Sequence, residues 1–544
     1  MAGRAGLLFL TLMVPLGLAA PVAAEPATPF DWTGFYLGYH TGGALDLADV
    51  SDPFGAPLFG DEIRSPGPIH GGQLGYSWQS GDWVFGLEAE ASLADLEGSN
   101  SCFATSGFYV SANCRRKIDA MGSFTVRGGW LLDDSTLLYG KAGLAIVHTE
   151  TTAKPNGGFG QAATRESGTE LGWTVGTGLE RAIGAGWSVK AEYDFLSFDD
   201  NLSAPASVAQ SSPPRGGYSA VPGGPSGISS DMHQVKLGAN YRFGHGGEAA
   251  LFRPVKAPGL PNGYRLEVGA RYTYGWGQFH KDLGLSGHGD YGLASRLTYE
   301  NTDSNGGEAF ARLDTPWGGM IKGVLGGAVS GGKMNDEDWG LQFPDGLIPY
   351  SNTVSTVDNE IKYGIVDVGY AWWQGQRYSI APFIGYSQLR QDMDANGCRQ
   401  IANPNSDCAT PIPTNVVGIT EDDVWHALRL GTAVNLSLSD RLSFTGEAAY
   451  LPYVDFDGTD NHRLRDLVSP ESGRGIGVQL EATLAYALTE SLSLGIGGRY
   501  WSMWTETGTV DFGGSGPIIP MRYASEQAQL LFQGSYRFNT GGGG

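Results

Sequence analysis

Apolar and polar residues alternate with a period of two along most of this chain, and turn residues separate the alternating runs. The clearest run covers 232 to 243, where Val235, Leu237, Ala239, Tyr241 and Phe243 share one face and Gln234, Lys236, Asn240 and Arg242 the other. That alternation predicts a strand with one face in lipid and the other in a polar lumen. Seven comparable segments precede it, near 32 to 44, 69 to 79, 83 to 92, 118 to 130, 137 to 149, 169 to 183 and 187 to 197. Tight turns at Ser80-Gly81-Asp82, Asp133-Asp134-Ser135 and Gly184-Ala185-Gly186 alternate with long loops near 46 to 68, 93 to 117, 150 to 168 and 198 to 231. About eight strands joined in this way predict a small transmembrane barrel whose interior is filled by side chains.

The pattern resumes with longer strands near 264 to 279, 292 to 313, 318 to 330, 357 to 373, 376 to 391, 423 to 437, 441 to 456, 475 to 487, 490 to 506 and 526 to 538. The last again alternates, through Leu530, Phe532, Gly534, Tyr536 and Phe538. Tight turns at Thr315-Pro316-Trp317, Gln374-Gly375-Gln376, Ser437-Leu438-Ser439-Asp440 and Thr489-Glu490-Ser491 leave the other connections as outer loops. Between the halves, 246–262 has the Gly and Pro content of a linker. An even strand number returns the chain to the periplasm, so the linker is expected there. The fold class is therefore all-β: two tandem transmembrane antiparallel β-barrels, about eight strands over 25–245 and about ten over 263–538, with a Gly-rich tail over 539–544. A single barrel of about eighteen strands is the rival.

Composition agrees with strands rather than helices. There are 84 Gly, 24 Tyr, 23 Phe and 14 Trp, with only 17% charged residues, a Gly-plus-aromatic bias found in outer-membrane barrels. Residues 1–24 read as a signal peptide, with Arg4 before an apolar run and small residues before Glu25. No later apolar run is long enough for a spanning helix. The net charge of -22 excludes nucleic acid as an expected partner. Cys102 with Cys114 and Cys398 with Cys408 read as two local disulfides in outer loops, since an exported chain without CxxC spacing favours bridges over a metal. No metal is expected.

Two short acidic motifs carry the candidate chemistry. In Gly331-Gly332-Lys333-Met334-Asn335-Asp336-Glu337-Asp338-Trp339, Asp336 and Asp338 share a face if the preceding strand runs on. In Gly458-Thr459-Asp460-Asn461-His462, the same offset separates Asp460 from His462. Both motifs fall in outer loops, where a carboxylate-held imidazole facing two further carboxylates is suited to activating water. Three Asp and one His also suit a divalent cation, which ranks lower.

The opening DWTGFYLGYHTGG and the close VKLGANYRF resemble the small eight-stranded outer-membrane barrels of OmpA type, over roughly 25 to 245. GGKMNDEDWG, TDNH, Ile321-Lys322-Gly323 and the strand order resemble the omptins, outer-membrane proteases, over about 263 to 538. The second resemblance implies an endopeptidase facing the exterior: His462 with Asp336 activates water, Asp460 orients His462, and Asp338 supports the nucleophile or the tetrahedral intermediate. It also implies lipopolysaccharide bound through Tyr386, Gln388 and Arg390, with no other cofactor, and a peptide or protein substrate. This chain has Gln388 where the family has an acid. Gly458, and in the first strand Gly277 or a neighbour, stand where the family has acids that receive a basic substrate side chain, with Asp455 and Asp457 nearby. The alternative is a non-catalytic structural barrel, porin or adhesin.

Overall fold

The structure is a computed structural model. It describes residues 30–55, 58–105, 110–156, 162–210, 218–244, 263–284, 293–343, 346–374, 377–402, 406–514 and 518–539. The signal peptide, the linker and all but the first residue of the Gly-rich tail lie outside the described residues. Eight strands form the first barrel: β1 Gly34–Val50, β2 Glu62–Ser80, β3 Trp83–Thr105, β4 Val110–Asp133, β5 Thr136–Pro155, β6 Thr164–Gly184, β7 Trp187–Ser203 and β8 Pro225–Arg242. The barrel closes by antiparallel pairing of β1 with β8, Tyr36 opposite Arg242. This closure excludes a single fused barrel.

Ten strands form the second barrel: β9 Arg265–Gly284, β10 Leu293–Asp314, β11 Gly319–Phe343, β12 Gly346–Tyr370, β13 Tyr378–Gln400, β14 Ile412–Ser437, β15 Leu442–His462, β16 Leu467–Ala487, β17 Leu492–Asp511 and β18 Ile518–Asn539. The ring closes through β9 with β18 and β12 with β13. Short turns join strands at one end, and long strand extensions rise at the other, which places the extended end outside the cell.

Those extensions correct the expected loops. The stretches 93 to 117 and 331 to 343 are largely paired strand, because backbone ladder bonds form whether or not the side chains alternate. Cys102 and Cys114 consequently bridge the outer ends of β3 and β4 rather than a loop, and Cys398–Cys408 tethers the end of β13.

The lumen of the first barrel is filled by ion pairs. Lys141, Lys190 and Lys236 sit among Glu90, Glu192 and Asp194, while Arg127 bridges Glu88 and Glu180 at 3.0 and 2.8 Å. Buried charges persist only when paired, and these are. Facing lipid on the second barrel, Phe532, Tyr536 and Phe538 are exposed, as the alternation predicts.

The barrels stand side by side. Near the short turns, Leu179, Val189, Leu237 and Ala239 pack against Ile380, Val434, Leu436 and Phe444. Leu237 and Ala239 thus face protein, not the lipid expected from sequence. Higher up, Gly43 lets Leu480 approach: a Cβ there would lie 3.1 Å from Leu480 Cδ1. Toward the extended end, Arg64 reaches Glu526 through Nε at 3.2 Å and Nη2 at 2.5 Å.

Candidate active site

Strand periodicity positions the site. On β11, Met334 points into the lumen core, so Asp336 and Asp338 follow it on the lumen side while Asn335, Glu337 and Trp339 point outward. Asp460 and His462 lie at the end of β15 by the same rule. Around the ring, β11 and β15 are four places apart among ten strands, so the two pairs stand on opposing parts of the wall. The strands carry all four residues, which corrects their assignment to loops.

Asp460 is buried, and its Oδ2 lies 3.2 Å from His462 Nε2. The same oxygen accepts from Lys281 Nζ at 2.9 Å. Lys281, fully buried on β9, also donates to Glu421 Oε2 at 2.5 Å and Glu471 Oε1 at 3.1 Å. Burial works against the Asp460 carboxylate, but the Lys281 ammonium and the His462 ring outweigh it and hold its pKa well below the usual range.

Opposite, burial and then the charges of Asp338 and Asp460 push the Asp336 carboxyl well above the ordinary carboxylate value. Burial raises Asp338 to about 6, against a hydrogen bond from Ser295 and with Asp407, Arg465 and His462 close enough to act on it. One wall therefore carries a firmly ionised carboxylate against an imidazole, and the other a carboxyl pair able to hold a proton near neutral pH.

Sequence reasoning missed Lys281 and the acids around it. Lys281 occupies a lumen position two residues after Phe279, a placement the alternation carries once β9 is extended past 279. Asp423 and Glu471 flank Gly458 in register on the neighbouring strands, and a Cβ on Gly458 would lie 2.6 Å from Asp423 Oδ1. The Asp423 carboxylate and the Phe456 ring, at 2.6 and 2.8 Å from such a Cβ, thus fill the space over Gly458, whereas Asp455 and Asp457 lie elsewhere: Arg474 pairs with Asp455 at 3.4 Å. Glu421, Asp423 and Glu471 also present oxygens within 4.8 Å of one another, the spacing of a cation site, as do Glu88, Glu90 and Glu192. Lysines supply positive charge to both groups, Lys281 in the first and Lys141, Lys190 and Lys236 in the second.

Tyr386 and Arg390 lie on the outer wall of β13, with Gln388 between them. Both are already partnered: Tyr386 OH meets His426 Nδ1 at 2.5 Å, and Arg390 pairs with Asp392 at 3.0 Å and Asp422 at 2.6 Å. The bonds to these carboxylates use Nε and Nη2 of Arg390, so a phosphate there would share the guanidinium with them.

Comparison with known proteins fits this architecture. Residues 10–243 match the outer membrane protein beta-barrel domain, and residues 321–512 match the omptin family. The 31 kDa outer-membrane immunogenic protein of Brucella melitensis biotype 1 is 26% identical over 41% of this chain and 89% of its own length. The 22 kDa outer membrane protein of Rhizobium leguminosarum bv. viciae is 31% identical over 31% of this chain and 64% of its own. The crystal structure of outer membrane protease OmpT from Escherichia coli aligns with 53% of this chain and 100% of its own, at 12% identity and a TM-score of 0.42. Two closed barrels and these relatives define a bacterial outer-membrane protein. Within its second barrel, residues 321–512 carry the match to an omptin family domain.

Proposed function

We propose that the second barrel is an outer-membrane endopeptidase that hydrolyses peptide bonds with water held between His462 and Asp336, its mouth facing the exterior. The contact between Asp460 Oδ2 and His462 Nε2 carries this reading. An ionised Asp460 accepts the Nε2 proton, which leaves Nδ1 as the basic nitrogen. Water attacking the peptide carbonyl gives its proton to Nδ1, and the imidazolium returns it to the departing amine. The imidazolium is stabilised by Asp460, while a protonated carboxyl of the Asp336/Asp338 pair donates a hydrogen bond to the oxygen that gains charge. The first barrel, with its lumen filled, is the non-catalytic partner.

A refolded chain should cleave members of a peptide library, and His462→Ala or Asp336→Ala should abolish cleavage while each variant keeps its heat-modifiable mobility. Parallel assays with and without lipopolysaccharide test the outer wall at Tyr386, Gln388 and Arg390. A stimulation by lipopolysaccharide that Arg390→Ala abolishes supports that contact. Wild-type protein that cleaves nothing in either condition establishes the non-catalytic reading.

A further inference from the structure

The strand that carries Asp336 and Asp338 has a second face, and the first barrel covers it. Glu337, between the two aspartates, points outward and is completely buried. Its Oε2 accepts from Ser101 Oγ of β3 at 2.5 Å, and its Oε1 accepts from Tyr350 OH at 2.7 Å. Arg296, the register partner of Glu337 on β10, is clamped by both oxygens of Asp282 at 2.6 Å and donates to Ser99 Oγ at 3.1 Å. Leu58, also from the first barrel, packs with Trp339 and Tyr350.

Ser101 is itself fixed from behind. Its carbonyl accepts from Asp61 N at 2.8 Å, and the next residue is half of the Cys102–Cys114 bridge. Gly60 runs past the same carbonyl at φ +87, where a Cβ would lie 2.2 Å from the oxygen. Neither the side chain nor the backbone of Ser101 is free to follow a moving neighbour.

We propose that the first barrel positions the Asp336/Asp338 pair, with Ser101 as the positioning residue acting through Glu337. In an extended strand the directions of residues i-1 and i+1 follow from that of residue i, because alternate side chains leave opposite faces of one ribbon. Holding Glu337 from outside therefore sets the angle at which both aspartates enter the lumen. Without the Ser101 hydroxyl, Glu337 Oε2 is a buried acceptor with no donor, and the strand relieves that cost by rotating Glu337 toward water. Rotation carries Asp336 and Asp338 with it. The separation of 236 residues between Ser101 and Glu337 makes this a contact between domains.

The proposal rests on the reading that Asp336 and Asp338 act on substrate, so the test has one arm that needs activity and one that does not. Ser101→Ala in the full chain should lower kcat about tenfold with KM within twofold, and Ser101→Thr, which keeps the hydroxyl, should restore it. Glu337→Gln should lower kcat as well, and the double variant should fall no further than the worse single one, as expected of two residues serving one contact. Infrared titration of the carboxyl bands, assigned by their loss in Asp336→Asn, should show the pair's titration displaced in Ser101→Ala. Displaced titration in a protein that cleaves nothing keeps the positioning inference and removes the catalytic one. An unchanged titration, or an active Ser101→Ala with wild-type kcat, overturns the inference.

Discussion

Lys281 Nζ and His462 Nε2 meet the same oxygen of Asp460, at 2.9 and 3.2 Å. One carboxylate oxygen thus links a buried cation, shared with Glu421 and Glu471, to the imidazole at the mouth of the second barrel. Lys281→Met leaves three buried carboxylates without their cation, a change that costs about 3–5 kcal/mol when a buried pair is broken. Denaturant midpoints of the folded form should fall accordingly. Asp460 should then take up protons more readily, so the variant's residual cleavage should be recovered in part at alkaline pH, measured as the ratio of rates at pH 9 and pH 7.

Asp338 gives a pH dependence of opposite sign. Its carboxyl is ordinary when unfolded, near 3.8, and is raised to about 6 when folded. The folded chain therefore holds a proton that the unfolded chain has released across that window. Stability falls as pH rises from about 4 to about 6, by about 1–2 kcal/mol once solvent screening of the half-buried pair is allowed for. Urea midpoints should show Asp338→Asn gaining on wild type through this window and remaining ahead by a constant amount above it.

Both disulfides are local, and peptide mapping without reductant should recover Cys102 with Cys114 and Cys398 with Cys408. Each closes a short stretch of chain, so each contributes about 2–3 kcal/mol of constraint on the unfolded state. A Cys102→Ser/Cys114→Ser double variant should lose about that much stability and also lower kcat, since Ser101 adjoins the bridge. The Cys398→Ser/Cys408→Ser variant should lose stability with a smaller effect on rate.

Gly458 invites the substitution that would restore the family's acid, and the structure opposes it. The new Cβ would meet Asp423 Oδ1 at 2.6 Å and bring a third carboxylate beside Asp423 and Glu471. Gly458→Asp alone should destabilise the barrel by about 2 kcal/mol or more. Adding Asp423→Gly should recover only part of the loss, because the Phe456 ring also lies 2.8 Å from the new Cβ, and the coupling is readable from the four denaturant curves.

The run from Val235 to Phe243 made a strand legible, because alternation is imposed by an apolar exterior and a polar lumen. It did not distinguish lipid from protein as that exterior, so Leu237 and Ala239 were given the wrong neighbour. Above the membrane the constraint disappears: the end of β3, Glu97 to Thr105, carries polar residues on both faces and reads as a loop although its backbone is paired. Asp336, Asp338, Asp460 and His462 stood out through their offsets, and Lys281 did not, because its role depends on Glu421 and Glu471 from distant strands. Glu337 was hidden in the same way: its partner Ser101 belongs to the other barrel.

The apolar seam of Leu179, Val189, Ile380 and Val434 also decides what surrounds the molecule. Where these side chains meet, no acyl chain can enter, so the two cylinders share one lipid annulus. They must answer any change in bilayer thickness by tilting together. The second barrel has one flank sealed by its companion and offers lipid only the remainder of its circumference. β13 runs along the border of that seal: Ile380 near its short-turn end lies in the seam, while Tyr386 and Arg390, further along the same strand, remain exposed.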